Sequence, residues 1–232
     1  MHARFTSRHA LSTPAVSARN LTKSFARGLA RSPTRVTALD AVCLDVHGGE
    51  IVGIVGSAGA GKTTLLQCLC GLLRADSGAA RCPRRTAYVA AVPVFYPFLT
   101  PRDVLELSIA RRATGPLRPG AVERTLRELG LDDVERSRIA ELPWEAQNRI
   151  AVAEALVLEP RVMLVDSNAA HPVLPFEAVT LRALAAYADA GAAIVLAARA
   201  ASAVGSVATR VVLMEKGRTR STPGRFVAER VH

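Results

Sequence analysis

EIVGIVGSAGAGKTTLLQCLCGLL, residues 50 to 73, carries three signals in one unbroken stretch. The apolar, β-branched run that ends in glycine at 56 reads as a short buried strand, and the segment from Lys62 onward has the length and apolar spacing of a helix. Between them GSAGAGKTT, Gly56 to Thr64, fits the pattern GxxxxGK[ST] in full, in the strand–loop–helix context that the pattern requires. Residue types give the chemistry. Gly56, Gly59 and Gly61 let the backbone wrap with its N–H groups turned inward, and Ser57, Ala58, Ala60 and Thr64 complete the loop. The helix that follows aims its N-terminal dipole at the same point. Lys62 is placed to reach the β- and γ-phosphates of a nucleotide, and the Thr63 hydroxyl to ligate Mg²⁺.

Working outward, further buried strands are expected at VMLVD (162 to 166), AIVLAA (193 to 198) and RVVLM (210 to 214), with a crossing helix in LPFEAVTLRALAAYADAG (174 to 191). That is βαβ organisation, which implies a parallel sheet covered by helices. The stretch from Val16 to Glu50 reads as shorter alternating strands separated by turn residues, an antiparallel flank. Strand signals vanish between Pro97 and Glu159, where TPRDVLELSIARR, GAVERTLRELG and WEAQNRIAVAEALVL read as helices of an insertion spanning about 97–159. The expected division is a loose tail at 1–14, one α/β domain at 15–221 and a second tail at 222–232. Asp166, at the end of its strand, is the natural second partner for Mg²⁺, or else an aspartate capping a strand end.

Composition narrows the function classes. With 50% hydrophobic residues the chain can build a core, and with 4% aromatics that core must be aliphatic. Cys43, Cys68, Cys70 and Cys82 form no CxxC pair and have no histidine at metal-ligand spacing, which points to reduced thiols in a cytosolic protein. The net charge of +10 comes mostly from scattered arginines, not from a basic run interleaved with aromatics, so no nucleic acid is expected as a partner. No segment has the roughly 18 uncharged apolar residues of a membrane span, and the first residues lack the apolar stretch of a secretory signal. A cytoplasmic chain is expected.

ALDAVCLDVHGGEIVGIVGSAGAGKTTLLQCLCGLLRADSG, residues 38 to 78, closely resembles the first half of the ATP-binding cassette domains that drive ABC transporters. The likeness continues through TAYVAAVPVFYPFLTPRDVLEL, IAVAEALVLEPRVMLVD and ATRVVLMEKGR, in the family's order over roughly residues 16 to 220. It implies a P-loop NTPase fold: a parallel sheet core, an antiparallel β flank and an inserted helical subdomain. It also implies ATP and Mg²⁺ as ligands, a membrane-spanning transporter subunit as partner, and a homo- or heterodimer with another ABC domain. The location implied is peripheral, on the inner face of the cell membrane. Phe25, in LTKSFARG, matches the aromatic that stacks on adenine in this family, or is one more core aromatic.

Five positions depart from the family pattern. YVAA puts Ala91 where the family has a glutamine near Mg²⁺ and the attacking water. LPWEA, Leu142 to Ala146, replaces LSGGQ, the helix start that meets the γ-phosphate of the opposite subunit. Pro143 has no N–H to offer there, Trp144 is bulky, and Glu145 adds negative charge. Ser167 follows Asp166 where the family has a glutamate that polarises water, and serine is no base near pH 7 without an activating partner. The next residues, from Asn168 through SNAAHPVLP, supply no aspartate. The family's switch histidine falls on Arg199, or on Ala198 if the register slips by one. The expectation is a chain that holds Mg-ATP and hydrolyses it slowly or not at all. A non-catalytic regulatory or assembly module is the alternative; a small-molecule kinase and a nucleic-acid ATPase are less favoured, since no acceptor-site base or lid is evident.

Overall fold

The parallel sheet is built from the runs that read as buried strands. The structure is a computed structural model, and it describes residues 13–27, 34–111, 119–167 and 177–221. In chain order the elements are β1 (Val16–Arg27), β2 (Thr34–Val46), β3 (Ile51–Val55), α1 (Lys62–Leu69), β4 (Ser77–Arg81), β5 (Thr86–Val89), α2 (Pro101–Ala110), α3 (Ala121–Glu128), α4 (Trp144–Val157), β6 (Val162–Asp166), α5 (Ala178–Asp189), β7 (Ala193–Ala198), β8 (Arg210–Glu215) and β9 (Arg218–Ser221). The six-stranded sheet has the order β5-β6-β7-β3-β8-β9, parallel except for the β8–β9 pair. Strands β1, β2 and β4 form a separate antiparallel sheet in the order β2-β1-β4.

Alternation along each parallel strand divides the core into two layers. Ile51, Val55, Met163, Val165, Ile194 and Leu196 face the apolar sides of α2 to α5. Val52, Ile54, Val162, Leu164, Val195 and Ala197 face α1 and the antiparallel sheet. A strand buried on both faces shows no polar alternation, so these runs read as continuous apolar sequence. Helices α2, α3 and α4 occupy the interval between β5 and β6 where strand signals vanish.

Three strands had no legible signal, and two were longer than expected. β4 is SGAAR with every residue exposed, β5 is only four residues, and β9 is RTRS, so none has an apolar period to read. β1 and β2 run for 12 and 13 residues, not as several short strands. Register shifts between Ala18 and Ser24, and positive φ at Asn20 (48°) and Ala41 (50°), mark bulges that break the period of two and mimic turns in the sequence. Apart from residues 13 and 14, the expected tails lie outside the described residues, as do Asn168 and the rest of SNAAHPVLP after Ser167, and residues 112–118 of the helical insertion.

Candidate functional site

The site forms where the parallel strands end. In register, Val89 of β5 lies beside Val165 of β6, Asp166 beside Ala197 of β7, and Ala198 beside Val55 of β3. The residues just beyond those ends therefore stand in a row: Ala91, Ser167, Arg199 and the loop starting at Gly56. In open α/β sheets this edge is where ligands bind.

The loop from Gly56 to Gly61 turns between β3 and α1 under tight steric limits. A Cβ on Gly56 would come within 2.1 Å of the Met214 carbonyl oxygen of β8. Gly61 is the N-cap of α1 with φ of 105°, and a Cβ there would lie 2.2 Å from the Ala38 carbonyl oxygen of β2. Only glycine fits either place. Ser57, Ala58 and Gly59 are exposed at the tip, while Ala60 is buried and accepts from the Gly217 N–H at 3.0 Å, which ties the loop to the β8–β9 turn. No side chain caps α1 and no acid lies in its first turn, so its leading N–H groups face the loop unmatched by protein charge.

Lys62 is 1% exposed. Its Nζ donates to the carbonyl oxygens of Gly56 (2.7 Å) and Ser57 (2.8 Å), which fixes the ammonium within the loop. Burial pushes its pKa down, the Asp166 carboxylate pushes it up, and Arg199 pushes it down again. Thr63 Oγ1 donates to Asp166 Oδ2 at 2.6 Å, so the two oxygens expected beside Mg²⁺ are brought together across 103 residues of sequence. A hydroxyl and a carboxylate suit a hard cation that takes its remaining ligands from phosphates and water. Among the described residues no group of three His, Cys, Asp or Glu side chains could hold a metal without such help.

The other residues singled out in the sequence are placed as follows. Phe25 lies in the antiparallel sheet, paired with Val36 and 40% exposed, with Lys23 Nζ 5.6 Å from its ring centroid. That end of β1 is pinned by Asp76, which accepts from Lys23 Nζ and the Ser24 N–H at 2.8 Å each. Ser167 leaves β6 with its N–H bonded to the Ala197 oxygen at 3.0 Å. Ala198 is the last, buried residue of β7 and Arg199 the first exposed residue after it. Pro143 is the N-cap of α4, with Trp144 and Glu145 half-buried in the first turn. Below that start, Gln147 Nε2 donates to the carbonyl oxygens of Ile139 (3.3 Å) and Leu142 (3.0 Å). Tyr88, which feels both Asp166 and Gln67, and Gln67 itself escaped the sequence reading. The only available signal was that Gln67 stands four residues after Thr63, on the same helical face.

Comparison with known proteins agrees with this geometry. The family model described as ABC transporter matches residues 39–170, more than half of the chain. The aliphatic sulfonates import ATP-binding protein SsuB 3 of Rhodococcus jostii is 34% identical over 153 residues, covering 66% of this chain and 54% of that protein. The lipoprotein-releasing system ATP-binding protein LolD of Chromohalobacter salexigens is 34% identical over 152 residues, covering 58% of this chain and 64% of its own length. The match thus spans little more than half of the sulfonate relative. A dimeric ATP-binding cassette bound to ADP and Pi superimposes with a TM-score of 0.76 at 21% identity, covering 90% of this chain and 99% of that one. A nucleotide-free cassette gives 0.75 at 19% identity, covering 92% of each. The chain belongs to the ABC transporter family, and its fold is that of the family's ATP-binding domain.

Proposed function

We propose that this chain is an ATP-binding subunit of an ABC transporter-like complex that holds Mg-ATP on its phosphate loop and turns it over slowly or not at all. The observation that carries this reading is an ordered nucleotide-holding constellation, Lys62 in the loop and Thr63 on Asp166, followed at position 167 by a serine. Loop N–H groups from Gly56 to Thr64 and the α1 dipole would receive the phosphates, Lys62 their β- and γ-oxygens, and Phe25 the adenine face. Thr63 and Asp166 would hold Mg²⁺. When bound, that ion neutralises charge on the β- and γ-phosphates. Arg199, at the end of the strand between Asp166 and the loop, would add a second cation toward the γ-phosphate.

Catalysis is where the residues fall short. Ser167 offers no base, Ala91 no amide to orient water, and a general base alone is worth about 10²–10⁴-fold in rate. At the start of α4, Glu145 would repel a γ-phosphate presented by a second subunit. This start also favours a second reading, a non-catalytic regulatory or assembly module, because it would impair a partner's site while Ser167 and Ala91 weaken this one.

Two features support a membrane-spanning partner. The relatives named above are import and release ATP-binding proteins. Val92, Val94, Tyr96 and Phe98 are all more than half exposed on one segment, an apolar patch of the kind that marks a protein contact. No helix among the described residues is long and apolar enough to cross a membrane, so the reading places the chain peripherally on the cytoplasmic face through that partner.

The test is steady-state ATP turnover by the purified chain, with Lys62→Ala as the blank. The reading expects turnover at the blank or far below the ordinary enzyme range. Turnover at an ordinary enzyme rate of about 1–10³ s⁻¹, lost in Lys62→Ala, would overturn it.

A further inference from the structure

The helix–sheet contact that carries Thr63 and Asp166 continues one step further. Thr63 and Gln67 are four residues apart on α1 and so share a face of that helix. On β6, Val162, Leu164 and Asp166 alternate onto the layer that packs against α1. Tyr88 of β5 is the register partner of Leu164 and packs against the same layer. Its ring therefore lies beside Leu164, one alternate position short of Asp166.

Tyr88, Gln67 and Asp166 thus face one another across this layer, close enough that Gln67 and Asp166 both act on the Tyr88 phenol. A neutral phenol has one proton to give, and an ionised carboxylate can only accept. Contacts among these groups therefore have one polarity: the Gln67 amide would donate to the Tyr88 oxygen and the Tyr88 hydroxyl to Asp166. Thr63 donates to the same carboxylate at 2.6 Å. The four side chains make one polar strip across an otherwise aliphatic interface.

We infer that Tyr88, held in turn by Gln67, is a positioning residue that fixes the rotamer of Asp166 so that carboxylate and Thr63 oxygen converge on Mg²⁺. This inference rests on the Mg-ATP reading above. The strip matters more here than it would beside a fuller set of polar residues. Ala91 and Ser167 bring no charge to this edge of the sheet, and Asp166 is the only buried carboxylate among the described residues. Partners of this kind, behind a metal ligand, typically change metal affinity by about 10- to 100-fold when removed.

The experiment is ATP binding by the full chain with excess EDTA and with Mg²⁺, for wild type, Tyr88→Phe, Gln67→Leu and the double variant. Tyr88→Phe keeps the ring and removes only the hydroxyl. Affinity without metal should stay within about twofold, while the gain on adding Mg²⁺ falls about 10-fold. Gln67→Leu should lose part of the same gain, and the double variant should lose no more than Tyr88→Phe, because one residue acts through the other. A Tyr88→Phe protein with the full Mg²⁺ gain would overturn the inference. Equal losses with and without Mg²⁺ would also overturn it, by showing a packing role. A wild type that binds ATP with no Mg²⁺ gain would remove the Mg-ATP reading itself, and the inference with it. Gln67→Leu decides the matter independently should Tyr88→Phe fail to fold.

Discussion

Two of the helices that begin without a side-chain cap, α1 and α4, present opposite first turns. α1 starts at a left-handed glycine, has no acid in its first turn, and places Lys62 at its first position. Its positive end is left for an outside anion. α4 starts at Pro143 and carries Trp144 and Glu145 as its first two residues. The acid answers the helix dipole from within, and a proline followed by an acid makes an ordinary structural helix start. A helix N-terminus is thus an anion site only when its own first turn leaves the charge unanswered. On the proposed reading, α1 would keep that property and α4 would not.

The contrast can be broken most severely at Gly61. Gly61→Ala would force a Cβ to within 2.2 Å of the Ala38 oxygen at a φ of 105°, so we expect loss of Mg-ATP binding with a clear drop in melting temperature. Thermal melts with and without nucleotide would check it, and an unchanged protein would contradict the packing described for the loop. Lys62→Ala is the next largest. It removes a charge-assisted contact to phosphate, for an expected loss of about 100-fold in ATP affinity by titration calorimetry. Trp144→Gly with Glu145→Gly tests the other end. ATP-dependent self-association, absent in the wild type, should emerge in the variant by sedimentation; if association is the same in both, the α4 start is not what prevents it. The smallest effects sharpen the structural side. Pro143→Ser supplies a missing cap and should stabilise by about 1 kcal/mol, and Glu145→Gln should cost about 0.3–1 kcal/mol. Denaturant midpoints would measure both.

What the sequence made legible depends on burial. β3, β6 and β7 are buried on both faces, and their boundaries could be read to within a residue because continuous apolar runs have sharp ends. The edges were harder. β5, the outer strand of the parallel sheet, is four residues that read as part of a motif, and the bulged β1 and β2 read as fragments. The same division holds at the site. GSAGAGKTT was visible because it is contiguous, and Asp166 because it ends a clear strand. Tyr88 and Gln67 were missed because neither belongs to a contiguous pattern, and their meeting depends on a helix crossing two strands. The family's switch histidine was matched to Arg199 or to Ala198; the structure puts Ala198 buried at the end of β7 and Arg199 exposed just after it.

The central claim is that this chain holds Mg-ATP and turns it over slowly or not at all. The most direct measurement is the identity of the bound nucleotide: incubate the purified chain with labelled ATP and Mg²⁺, remove free ligand, and resolve what is bound over time. The account predicts that label is retained as ATP and that Lys62→Ala retains none. Recovery as ADP with phosphate released at an ordinary enzyme rate of about 1–10³ s⁻¹, abolished by Lys62→Ala, would contradict it.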